Sequence, residues 1–174
     1  MRSFRSDNNA GLCPEALQAI TNANDGHQVA YGDDECTGRA VAAFHALFGT
    51  DAAVFFVGTG TAANTLALAA LTEPWQQVLC HAHSHVSFDD STAPERLTHC
   101  RVTGIHSEAA KLTPADVERA SLVTRGDVHQ PQPGVLSIAN STEFGEVYRP
   151  DEVRALCDAA HALGYRVHMR SEEH

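Results

Sequence analysis

The chain has 174 residues, 43% hydrophobic and 20% charged, which suits one globular domain with a proper core and excludes a disordered chain. Twelve basic residues against 22 acidic ones give a formal charge of −10, which argues against nucleic acid or an anionic membrane as the main partner. No apolar run is as long as a membrane span, the polar start MRSFRSDNNAG does not read as a signal peptide, and the five scattered cysteines (Cys13, Cys36, Cys80, Cys100, Cys157) contain no C-x-x-C pair, so they read as reduced cytoplasmic thiols.

Taken in order, residues 1–11 are polar and irregular. Pro14 to Asn22 reads as a short helix with proline at its start and Glu15 in its first turn. Tyr31-Gly32-Asp33-Asp34 is a turn or N-cap cluster. Thr37 to Phe48 is an amphipathic helix with Val41, Phe44, Leu47 and Phe48 on one face, stopped by Gly49. Ala52 to Val57 is apolar and predicts a strand, Gly58 to Thr61 a turn, and Ala62 to Leu71 a helix that ends before Pro74. Gln77 to His81 predicts a second strand and 100–105 a third. Thr113 to Ala120 predicts a helix with Thr113 as N-cap and Pro114 at N1. Gly134 to Ala139 predicts a fourth strand, Pro150 to Leu163 a helix closed by Gly164, and Tyr165 to Met169 a fifth strand. Strands alternating with helices imply α/β with a mostly parallel sheet and helices on both faces.

The chemistry concentrates in AAVFFVGTGTAANTLALAAL, from Ala52 to Leu71. A strand, a glycine turn and a helix form an anion site, because free N–H groups and the helix dipole both favour negative charge there. The hydroxyls of Thr59 and Thr61 add donors. Gly58-x-Gly60-x-x-Ala63 also fits the loose dinucleotide fingerprint, but the acidic residue expected ~20 residues on is replaced by Cys80-His81, and the next acid after them is Asp89. A tight glycine turn also serves with no ligand at all. His81, His83 and His85 would share one face of an extended segment, with Asp89 or Asp90 able to complete a metal site. The other reading makes one of them a histidine lying on the face of an aromatic cofactor, and no metal is expected.

Several motifs together resemble the low-specificity threonine aldolases, within the aromatic amino acid β-eliminating lyases that use pyridoxal 5′-phosphate. Phe4-Arg5-Ser6-Asp7-Asn8 looks like that family's opening motif, Tyr31-Gly32-Asp33-Asp34 its turn, and Thr59-Gly60-Thr61-Ala62-Ala63-Asn64 its phosphate loop, with Thr59 for the usual serine. Cys80-His81-Ala82-His83-Ser84-His85 and SIANSTEFGEVY (Ser137 to Tyr148) follow in register. The resemblance runs from Phe4 to about Met169. It implies that Thr59, Gly60 and Thr61 hold the cofactor phosphate, that His85 stacks on its ring, and that His129 is a second active-site histidine near the substrate hydroxyl. It places Ser6 near the substrate carboxylate and sends Tyr31 toward a neighbouring subunit's site. The implied reaction cleaves a β-hydroxy-α-amino acid to glycine and an aldehyde, in a cytoplasmic homo-oligomer acting on a small amino acid substrate.

The resemblance also exposes departures. The family's fifth strand ends His-Met-Asp-Gly-Ala-Arg, whereas this chain reads His168-Met169-Arg170-Ser171-Glu172-Glu173-His174. The aspartate expected against the ring nitrogen is thus replaced by Arg170. The family's cofactor-binding lysine has no match, and Lys111 is the only lysine. Residues 1–169 therefore read as the N-terminal part of a cofactor-binding large domain and 170–174 as a divergent tail. The expectation is a truncated chain without turnover of its own, with a non-catalytic binding or oligomerising fragment as the alternative.

Overall fold

The computed structural model describes residues 9–122 and 126–171. The opening motif with Ser6 and the last three residues of the tail lie outside them. The chain forms two compact units, one up to Phe56 and one from Val57.

The first unit holds α1 (Pro14–Ala23) and α2 (Glu35–Phe48). Pro14 opens α1 at a position where the missing N–H costs nothing. Asp34 caps α2 by accepting from the Thr37 N–H at 2.9 Å and from the Thr37 hydroxyl at 2.7 Å. Tyr31 and Gly32 both take positive φ in the turn that delivers this cap. The Phe44 ring lies 6.1 Å from those of Phe48 and Phe56. The predicted strand over Ala52 to Val57 is not found: this stretch is irregular. A strand exists only through its ladder, and none of the four described strands pairs with these residues.

The second unit starts its regular structure with α3 (Gly60–Leu71) and β1 (Gln76–His81). Two short helices follow, α4 (His85–Phe88) and α5 (Ala93–Thr98). Then come β2 (Arg101–Ile105), α6 (Pro114–Ser121), β3 (Gln132–Asn140), α7 (Pro150–Ala162) and β4 (Arg166–Ser171). The four strands form one parallel sheet in the order β2-β1-β3-β4. Parallel neighbours need crossovers, which the helices between them supply.

Side-chain alternation along the strands sorts the core into two clusters. Leu79, Leu136 and Ile138 join Val117, Tyr148, Leu156, Ala160 and Tyr165. Val78 and Val135, one residue out of phase, join Leu68 of α3, Val86 and Cys100. Period-two strands thus bury both faces, and helices cover both. β4 runs through Arg170 and Ser171, paired with Ala139 and Asn140.

Local chemistry fixes the helix ends. α6 carries a full capping box between Thr113 and Asp116, with Pro114 in its first turn. The motif after β3 is a set of turn fixtures. Gly145 takes positive φ, its N–H bonds the Thr142 carbonyl at 2.9 Å, and the Tyr148 hydroxyl accepts from the Leu112 N–H at 2.6 Å.

Candidate functional site

The cradle is built at the start of α3. Thr59 is extended (φ −150°, ψ 158°) and caps the helix, its hydroxyl accepting from the Ala62 N–H at 3.1 Å and its carbonyl from the Ala63 N–H at 3.0 Å. The first N–H groups of a helix have no acceptor within it. With Ala62 and Ala63 served by Thr59, the N–H groups of Gly60 and Thr61 are left for a ligand. The mouth is open: a Cβ on Gly58 would meet nothing within 4 Å, and one on Gly60 only the Arg170 guanidinium at 4.0 Å. The site therefore presents two N–H groups, the positive end of a twelve-residue helix and a nearby cation, which suits a phosphate.

His85 sits just past the C-terminal end of β1. The histidine run is not extended. β1 stops at His81, a turn spans 82–84, and His85 opens α4. The three histidines therefore do not line one strand face, because the Ala82–Ser84 turn ends the alternation. The Ser84 N–H bonds the His81 carbonyl at 2.9 Å, and the His83 N–H approaches His81 Nδ1 at 3.3 Å. His83 is packed among rings, 5.6 Å from Phe144 and 6.2 Å from His106. Among the described residues, no group of three or more His, Cys, Asp or Glu is placed to hold a metal ion.

Asp90 joins the cradle to His85. Its carboxylate is fully buried; Oδ2 accepts from Asn64 Nδ2 at 2.8 Å, and Oδ1 stands 3.0 Å from His85 Nδ1. The His85 and Asp90 atoms are both buried, and neither makes a well-aligned hydrogen bond, to the other or to any other of the described residues. Their contact is a close electrostatic pairing. Burial pushes the Asp90 carboxyl up, but Thr61, Asn64 and His85 together outweigh it and hold the group below its ordinary value. The Glu143 carboxylate accepts from the backbone N–H of His85. Sequence reasoning weighed Asp90 only as a metal ligand and did not single out Asn64 as the partner of Asp90 or Glu143 as the partner of His85. The signal available was the motif spacing: Asn64 closes the phosphate loop motif, and Glu143 lies in the segment ending at Tyr148.

The remaining predicted residues fall elsewhere. Tyr31 belongs to the first unit, fully exposed at positive φ. His129 lies in the turn before β3, its N–H bonded to Asp127 Oδ1 at 2.8 Å, while the Gln132 N–H bonds the Trp75 carbonyl at 3.0 Å ahead of β1. This is the N-terminal edge of a parallel sheet, and His85 follows its C-terminal edge. One chain does not bring the two histidines together. Lys111 is engaged elsewhere, its Nζ 2.8 Å from the Glu152 carboxylate and 3.2 Å from the Val147 carbonyl.

The Beta-eliminating lyase family model matches residues 3–171. The chain belongs to the beta-eliminating lyase family. The chain is 45% identical over 169 residues to the low specificity L-threonine aldolase of Pseudomonas sp. (strain NCIMB 10558), covering 97% of the chain and 49% of that protein. The Pseudomonas aeruginosa low specificity L-threonine aldolase is also 45% identical over the same length. Among solved structures, Leishmania major threonine aldolase superposes with a TM-score of 0.87 at 26% identity, over 92% of this chain and 47% of that one. Serine palmitoyltransferase from S. paucimobilis, at 17% identity and a TM-score of 0.63, supports the fold alone. The chain thus spans about half the length of the curated relatives it matches, 49% for both Pseudomonas proteins.

The family uses pyridoxal phosphate, and the residues present fit it in part. Thr59, Gly60 and Thr61 fit its phosphate, and His85 fits a ring partner beside that cradle. The covalent part does not fit these residues, because Lys111 is committed to Glu152. Arg170, near Gly60, puts a cation where the family resemblance expects a carboxylate.

Proposed function

We propose that this chain is the phosphate-holding and ring-holding part of a threonine-aldolase-like lyase, which cleaves a β-hydroxy-α-amino acid to glycine and an aldehyde. The observation that carries the reading is the joining of the cradle to His85 through buried Asp90. The Pseudomonas relatives named low specificity L-threonine aldolase support the reaction class.

In this reading each residue has a physical task. The N–H groups of Gly60 and Thr61 bind the phosphate oxygens, and the Thr59 hydroxyl, whose oxygen caps the helix, still has a hydrogen to donate. His85 lies on the ring face. Ser6 holds the substrate carboxylate, Tyr31 completes a neighbouring subunit's site, and His129 takes the β-hydroxyl proton. Because His129 stands at the opposite edge of the sheet from His85, it serves such a site from another copy of the chain. Bound in the cradle, pyridoxal phosphate supplies the electron sink that lets the Cα–Cβ bond of the amino acid break. A homo-oligomer in the cytoplasm fits the exposed Leu47, Phe48 and Phe55 of the first unit and the five free thiols.

The test is a titration of the chain with pyridoxal phosphate, followed by protein fluorescence, with inorganic phosphate as competitor. Saturable binding displaced by phosphate is expected. Binding that does not saturate, or that ignores phosphate, overturns the reading.

A further inference from the structure

We infer that Asp90 is a positioning residue that locks the His85 imidazole with its Nδ1–H turned into the protein, leaving Nε2 as the one ring nitrogen able to meet a ligand. The inference rests on reading His85 as the residue on the cofactor ring, but its evidence lies wholly within this chain.

The carboxylate has two oxygens and each serves a different element. Oδ2 accepts from Asn64 Nδ2 at 2.8 Å, on the helix that carries the cradle, and Oδ1 faces His85 Nδ1 at 3.0 Å, at the start of α4. Thr61 stands against the same group. A charged carboxylate accepts and cannot donate, so at 3.0 Å its negative charge favours the ring form that carries the proton on the nitrogen it faces. His85 Nδ1 is buried with no other partner among the described residues, while about a quarter of the side chain remains exposed, 25%. The solvent-facing chemistry of His85 is therefore left to the rest of the ring. The ring's backbone anchor is separate: the His85 N–H is held by Glu143. Two carboxylates thus divide the work, Glu143 placing the residue and Asp90 orienting its ring. A carboxylate is costly to bury, and an apolar residue would pack the same space without that cost. What only the carboxylate supplies is an acceptor for Asn64 on one element together with a negative charge against the His85 ring on another.

The prediction is read by nitrogen NMR on histidine-labelled chain without cofactor, at about pH 8, above the ordinary histidine range. His85→Gln assigns the signals. The wild-type chain is expected to carry the His85 proton on Nδ1. Asp90→Ala is expected to move it to Nε2, and Asn64→Ala, which removes the Asn64 donor and keeps the carboxylate, is expected to leave it on Nδ1. A wild-type chain with the proton on Nε2 overturns the inference, as does an Asp90→Ala chain with an unchanged pattern. If Asp90→Ala does not fold, the wild-type pattern decides alone. Cofactor binding is measured separately. Failure of the wild-type chain to bind pyridoxal phosphate with the Nδ1 proton in place counts against the proposed function, and a wild-type chain that binds it with the His85 proton on Nε2 counts against this inference.

Discussion

Ser137 and His168 face each other across the β3–β4 ladder, with Ser137 Oγ 2.9 Å from His168 Nδ1 and both residues buried. Burial first, and then the nearby Arg170 cation, bring the His168 pKa down to about 4, with Asp90 opposing in part. The unfolded chain therefore binds a proton on this residue between about pH 6.5 and 4 that the folded chain refuses. The stability associated with neutral His168 is present above the unfolded value and is lost as pH falls through the folded one, on the order of 3 kcal/mol at most. Urea unfolding across that window should show stability falling with acidity, and His168→Gln should flatten the fall. An identical slope in the variant would remove His168 as its cause.

Gly134 shows how tightly the β1–β3 pairing is drawn. An added Cβ would lie 2.6 Å from the Gln77 carbonyl oxygen and 2.9 Å from Gln76 Cβ, beside the register shift between Gln77 and Val78. Backbone cannot yield as a flexible side chain does. Gly134→Ala should cost about 1–3 kcal/mol in urea unfolding. Gly58→Ala, where a Cβ would meet nothing within 4 Å, should stay within about 0.5 kcal/mol of wild type.

Tyr148 closes the motif after β3 by accepting from the buried Leu112 N–H at 2.6 Å. Burial pushes its own hydroxyl pKa up to about 12, so it stays protonated at neutral pH. Tyr148→Phe leaves the Leu112 N–H without its acceptor at little change of volume. The expected loss is about 1–3 kcal/mol, read as a lower urea midpoint at unchanged slope. A midpoint equal to wild type would mean that the hydroxyl is dispensable.

These cases mark what the sequence makes legible. β1 and β3 hold short apolar runs bounded by turn residues, β4 follows the Gly164 that closes α7, and α6 and α7 announce themselves by Thr113-Pro114 and by Pro150 followed by acids. Such signals are local, so the elements form where they stand. The Ala52 to Val57 run carries an equally good strand signal, but a strand is a property of two segments, and no described strand pairs with it. α4 and α5 are too short to show a period and are fixed from outside, α4 by Glu143 on the His85 N–H. The same limit applies to the site. Thr59 and Gly60 can be found from turn chemistry, whereas the link from the cradle to the Asp90 beside His85 depends on a contact 26 residues apart in sequence, between Asn64 and Asp90.

Thr59 gives the most direct separation of stability from ligand holding. Its hydroxyl oxygen accepts from the Ala62 N–H at 3.1 Å, which caps α3 and leaves the hydroxyl hydrogen to donate outward. Thr59→Ala removes both functions and should cost about 1 kcal/mol of stability from the lost cap. It should also weaken inorganic phosphate binding, because one donor and the fixed direction of the first helical turn are lost together. Thr59→Ser keeps the hydroxyl and should restore the cap and the binding. Thermal unfolding reads the first effect, and phosphate displacement of bound pyridoxal phosphate reads the second. If Thr59→Ala loses stability but binds phosphate as the wild type does, the hydroxyl is a cap only, and the backbone N–H groups of Gly60 and Thr61 hold the anion without it.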